Sequence, residues 1–151
     1  MALRPTLSVG LSCRDPRAEL NWLEAAFGFE VAMIVENADG SIAHSEMRVG
    51  DGGAIMVGGE WDQFHGSPLS QGGVNTQSVH VAITGDLDAH CERARAAGAV
   101  ITREPADQFY GDRVYGAADP EGHIWTFSVH IQDLSLAEMS AASGLSIRET
   151  L

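Results

Sequence analysis

Positive charge is scarce in this chain. Lys+Arg number 9 against 21 Asp+Glu, a formal net charge of −12, and no stretch gathers cations into a stripe. Binding along a phosphate backbone needs such a stripe, because neutralised phosphates drive association by releasing counterions. Nucleic acid is therefore excluded as a partner, and the same balance predicts no affinity for an anionic membrane. Long apolar runs are missing too. No segment approaches the ~20 apolar residues of a membrane span, and the opening MALRPTLSVGLS has no secretory-leader pattern. Cysteine is nearly absent: Cys13 and Cys91 lie far apart without a CxxC spacing, as reduced thiols in a cytosol do. A cytoplasmic location is expected. No Gly-rich phosphate loop follows a strand, and neither a Ser nucleophile elbow nor a Cys/His catalytic pair is recognisable.

What remains is a chain of 151 residues with 44% hydrophobic and 20% charged residues, enough for one soluble, single-core domain. Its two halves can be laid over one another with an offset of roughly 70 residues. The first runs TLSVGLSCRDPRAELNWLEAAFGFEVAMIV and the second SVHVAITGDLDAHCERARAAGAVIT. In each, an apolar stretch leads to an Asp, Asp15 or Asp86, whose carboxylate suits the free amides of a helix's first turn. Pro16 fits the first helical position, and Gly28 and Gly98 fit the left-handed residue that closes a helix. Leu20, Leu23 and Phe27, like Leu87, Cys91 and Ala94, fall at helical spacing and give each helix one apolar stripe. Strand-like runs follow at 29–36, 42–49 and 54–57, then at 99–103, 113–117 and 124–129, separated by turn sequences. Each half therefore reads βαβββ, and neither could bury both faces of its sheet alone. A Gly-rich connection, 58–73, joins them, and Ser135-Leu-Ala-Glu138 carries a capping box for a short helix in the tail.

The string YGDRVYGAADPEGHIWTF at 110–127, together with DPRAELNWLEAAFGFE at 15–30 and DLDAHCERARAAGA at 86–99, resembles the vicinal oxygen chelate superfamily of glyoxalases, bleomycin-resistance proteins and extradiol dioxygenases. The resemblance covers about residues 5–130 and is to the PhnB-like branch in particular. It implies an α+β fold of two paired βαβββ modules forming a cupped mixed sheet with helices on the outer face. The expected layout is a single domain over 1–151, with module 1 at about 5–58, the connection at 58–73, module 2 at about 76–130 and a helical tail at 131–151. The family also implies a homodimer as the default.

Metal-using members place one ligand on the first strand of each module and one on the last. Counting from Gly28, Gly98 and Asp119-Pro120 puts these positions at Ser8, near Met56, at Val79 and at Thr126; a one-residue gap would put His80 in place of Val79. Ser, Met, Val and Thr do not suit a divalent cation, which wants imidazole and carboxylate ligands. The usual metal site is thus expected to be absent, with no cofactor.

Other residues carry candidate chemistry. His44 and Glu46 stand at i, i+2 on one strand, so they face the same side and could act as two ligands, as a base with its orienting carboxylate, or as a polar pair on a solvated face. His80 and His130 read as core or edge histidines, His90 as solvent-facing on its helix, and His123 as a brace for its turn. Arg113 beside Tyr110 and Tyr115 could hold a ligand oxygen in the cup, or Asp112 and Arg113 could pair on the surface. Trp125, alternating with an inward Thr126, is expected beneath a helix. Trp61, Phe64 and His65 on the connection could close over a flat ligand or seal a subunit contact, with Met33 and Met56 as adaptable walls.

The expectation is a small apolar or aromatic molecule held in the cup by sequestration. Contacts are expected from Met56, Trp61, Phe64, Tyr110, Arg113 and Tyr115, with Ser8 and Thr126 as polar points; no catalytic residue is assigned. The alternative is a lyase, isomerase or dioxygenase of the same superfamily using a divalent metal on His44, Glu46 and His80. A third reading is an accessory subunit whose aromatic connection meets a protein partner.

Overall fold

The computed structural model describes residues 5–150. The elements run β1 (Val9–Ser12), α1 (Pro16–Phe27), β2 (Glu30–Glu36), β3 (Ile42–Val49), β4 (Gly53–Gly58), β5 (Ser78–Ala82), α2 (Leu87–Ala96), β6 (Val100–Asp107), β7 (Asp112–Ala118), β8 (Ile124–His130) and α3 (Leu136–Ser143). Among the described residues the eight strands make two four-stranded sheets, ordered β1-β4-β3-β2 and β5-β8-β7-β6. In each, the first strand pairs parallel to the last and the remaining pairs are antiparallel. The fold is α+β, and both βαβββ units expected from the internal repeat are present.

Local chemistry sets the helix boundaries. The Asp15 carboxylate accepts from the Ala18 amide, Pro16 opens α1, and Gly28 closes it at φ 73° with its N–H donated to the Glu24 carbonyl. That φ is one an L side chain rarely adopts, which is why the position is glycine. Asp86 caps α2 through the Ala89 amide. Ser135 and Glu138 form the expected reciprocal capping box on α3. Strand β6 runs further than its apolar pattern indicated, to Asp107, with register shifts on both sides of Arg103. Pro105 lies in the second of these gaps, and proline, lacking an amide hydrogen, is tolerated in a strand at such irregularities.

The two faces of each sheet differ sharply. On β3, Ser45, Met47 and Val49 are buried, whereas His44 and Glu46 point to the other side and are only half-buried. On β8, Trp125 and Phe127 bury under the helices, while Ile124 and Thr126 share the opposite face. Phe127 is the hub of the core. Its ring lies 4.6 Å from Phe27, 5.1 Å and nearly parallel to Tyr115, 4.7 Å from His90 and 6.3 Å from Trp125. Phe27 comes from the first module and the other four from the second, so this cluster joins the modules into one core. The Trp22 indole adds a long-range tie, donating to the Ala97 carbonyl at 2.8 Å.

Two sequence expectations change here. His90 is not solvent-facing: it is half-buried, with Nδ1 at 2.7 Å from the Tyr115 hydroxyl and Nε2 at 3.1 Å from the Phe27 carbonyl. Burial lowers its pKa. Its position on a charged helix gave no sign that the first module would cover it. Nor do Asp112 and Arg113 pair with each other; Asp112 takes His130 Nδ1 at 2.8 Å, and Arg113 turns to other carboxylates.

Candidate functional site

A cavity of about 900 Å³ opens on the helix-free faces of the strands. Strand β1 contributes Val9 to Ser12, β3 contributes His44, β4 contributes Met56, and β5 and β8 contribute Ser78, Val79 and Ile124. The connection lines it with Trp61, Gln63, Phe64, His65 and Gln71, and Asn75 follows just beyond. Among the described residues no Lys, Arg, Asp or Glu side chain is in the lining; His44, His65 and His123 are its titratable groups.

The connection is held at its middle. Ser67 is fully buried, its hydroxyl donates to the Glu121 carboxylate, and its amide donates to Glu60 Oε1 at 2.8 Å. Leu69 N–H donates to the Glu121 carbonyl at 3.2 Å, and the Asn75 side chain donates to the Gly122 carbonyl at 2.8 Å. Glu121 also accepts from the Asp15 amide at 3.1 Å and lies 3.6 Å from Arg14. Burial would raise its pKa, but the Ser67 hydroxyl, the backbone amides of Arg14 and Asp15 and the Arg14 charge outweigh that and hold it low. The Trp61 indole packs against Gly58: a Cβ built there would come within 2.2 Å of the ring. Trp61 and His65 meet edge to face at 5.4 Å.

A second group of ionisable side chains lies behind the β7–β8 turn. Asp119 accepts from the His123 amide at 2.8 Å, from His123 Nδ1 at 3.2 Å and from the Trp125 indole at 2.8 Å. Glu19 of α1 is buried beside it, and its Oε1 has no hydrogen-bond partner. Burial first, then the charge of Asp119, a hydrogen bond to Asp119 and the charge of Glu121 push the Glu19 pKa up to about 9. Glu19 is thus a neutral acid at pH 7. Burial, with the Glu19 and Glu121 charges, likewise pushes the Cys13 thiol up, so it is no nucleophile.

Of the residues singled out from sequence, the structure gathers Met56, Trp61, Phe64, His65 and His44 around the cavity. Val79, the counted third ligand position, and His123 line it as well, but Tyr115, Arg113, Tyr110, Ser8 and Thr126 lie elsewhere. Tyr115 is in the core, where burial raises its pKa. Arg113, on the same helix-side face of β7, holds Asp88 of α2 at 2.8 and 2.9 Å and Asp107 at 2.6 Å. Tyr110 stacks edge to face on Phe109 at 5.2 Å, outside the cavity. Ser8 and Thr126 are not in the lining, although Thr126 shares the Ile124 face. The register explains the first two: Thr126 pairs with Gly116, so Tyr115 and Arg113 fall on the opposite face. His123, Ser67, Gln71 and Asn75 were missed as site residues.

The residues present do not fit a divalent metal. His44 and Glu46 are adjacent at 3.4 Å, but His80 sits on β5 of the other sheet, exposed and beside a separate 290 Å³ cavity. Among the described residues, no group of three or more His, Cys, Asp or Glu side chains is placed to hold a metal ion.

A family model, Glyoxalase/Bleomycin resistance protein/Dioxygenase superfamily, matches residues 7–127. The chain belongs to that superfamily. Uncharacterised proteins of Mycobacterium bovis and Mycobacterium tuberculosis are 31% identical to it over 144 residues, covering 93% of this chain and 93% and 83% of theirs. Among solved structures, TioX from Micromonospora sp. ML1 is 32% identical with a TM-score of 0.64, covering 83% of this chain and 98% of its own. TnmS3 from Streptomyces sp. CB03234, an antibiotic binding protein, has a TM-score of 0.65 at 15% identity, over 86% of this chain and 98% of its own; it shares the fold. Among the described residues of this chain no helix is long and apolar enough to cross a membrane.

Proposed function

We propose that this chain is a metal-free binding protein of the PhnB-like kind, cytoplasmic and homodimeric, that sequesters a small apolar or aromatic molecule in the large cavity. The observation that carries this reading is the lining itself: Met56, Trp61 and Phe64 beside an uncharged rim of Gln63, Gln71 and Asn75. Trp61 is 56% exposed and Phe64 81% exposed, so a flat ligand between them would bury apolar surface that water now covers. Amide side chains at the rim would fix its orientation. Binding of this sort is a use of the fold that TnmS3, an antibiotic binding protein, also represents.

The test is a fluorescence titration with a panel of planar aromatic compounds, run on the native chain and on Trp61→Phe. Saturable quenching that disappears in the variant supports the reading; absence of quenching across the panel sinks it. Elemental analysis after separate supply of Zn, Ni, Fe and Mn addresses the rival metalloenzyme. Near-stoichiometric retention of one metal, lost in His44→Ala, would replace sequestration with catalysis.

A further inference from the structure

We propose that His123 is the proton acceptor of the cavity, positioned by Asp119, and that the molecule held there carries an acidic O–H, as a phenol or enol does. This rests on the cavity being the binding site. Three histidines line it, and each has a carboxylate at one ring nitrogen: His44 with Glu46, His65 with Asp62, His123 with Asp119. Only the last pair is withdrawn from water. The side chains of His44 and His65 are 37% and 51% exposed, that of His123 is 11% and that of Asp119 is 0%. Water therefore competes for the first two and hardly at all for the third.

Geometry then fixes the tautomer. Asp119 accepts from Nδ1 of His123, while the amide of His123 and the indole of Trp125 bind the same carboxylate and keep it from turning. With the hydrogen on Nδ1, Nε2 carries the lone pair. Nε2 has no hydrogen-bond partner among the described residues, and the ring is on the cavity wall. Behind the pair stand Glu19 from α1, Glu121 from the same turn, and Arg14 and Cys13 from the segment after β1.

In the transfer, the ligand O–H bond breaks and an Nε2–H bond forms. The other hydrogen stays on Nδ1, still donated to Asp119, and an imidazolium faces a ligand oxyanion. Total charge in the cavity is unchanged. That suits a chain of net charge −12, which repels an arriving anion but admits a neutral phenol.

The probes are umbelliferone, a phenol whose neutral and ionised forms absorb differently, and its methyl ether, which has no proton to give. Native protein is expected to bind both and to show the phenolate band at a pH where free dye is neutral. His123→Gln should lose that band and its preference for the phenol, about tenfold or more in affinity, the worth of one hydrogen bond to a charged group. Its affinity for the ether should stay. Asp119→Asn should lose the band likewise, whereas His130→Gln, an exposed histidine outside the cavity, should keep it. A band that survives His123→Gln, or native protein that binds phenol and ether alike without one, overturns the proposal and leaves the cavity reading standing. Failure of both dyes to bind overturns the cavity reading and this inference with it.

Discussion

Two sets of aromatic side chains in this chain lead opposite lives. Phe27, Phe29, Tyr115, Trp125 and Phe127 interlock with ring centroids 4.6 to 6.4 Å apart, all at or below 5% exposure. Trp61 and Phe64, on the connection, stand largely in water. The first set spans both modules and joins them. The second leans on a glycine and on a histidine of its own loop, so its loss should leave the core intact. Composition alone treats the two alike; only their places in the sequence repeat, in elements or between them, separate stability from recognition.

That contrast can be broken deliberately. Phe127→Ala should have the largest effect, about 3–5 kcal/mol of stability, because five rings lose a neighbour and a void remains; chemical denaturation checks it. Next comes a pH effect. Glu19 is raised from an ordinary value of 4.5 to about 9 in the folded protein, so the folded state holds the proton more tightly than the unfolded chain. Its contribution is fully present below pH 4.5 and is lost as pH rises toward 9. Native protein should therefore melt at falling temperature across that window, and Glu19→Gln should flatten the slope. Tyr115→Phe, which removes only the hydroxyl that meets His90, should cost about 1 kcal/mol. Trp61→Ala should move stability by less than about 0.5 kcal/mol yet abolish ligand-induced quenching. A large loss of stability in that last variant would erase the distinction between the two sets.

Much of the fold was legible because its signals are local. Asp15, Asp86, Gly28 and the Ser135–Glu138 box each fix a boundary within a turn or so of chain, and the β3 alternation puts His44 and Glu46 on one side. The site was legible where exposure follows from context: aromatics on a long Gly-rich connection, and Met56 on a last strand. It was not legible where strand register decides. Tyr115 and Arg113 looked inward because they neighbour a loop, but pairing of Gly116 with Thr126 turns them toward α2. Nor could the sequence bring Ser67 to Glu121, 54 positions away, or show that His123 reaches the cavity as well as bracing its turn.

The buried Ser67–Glu121 bond gives the connection a consequence of its own. A loop of sixteen residues pinned at its tenth is mechanically two shorter loops, and the arm carrying Trp61, Phe64 and His65 spans only from Gly58 to that pin. Shorter loops have less freedom to lose on closing, so under the proposed binding a guest would settle beneath a cover already drawn close. The same pin sets how far the cover can lift. Under the proposed binding, the affinity and the upper size of a guest would be set together at this pin: loosening it would widen the doorway and weaken the grip in a single stroke.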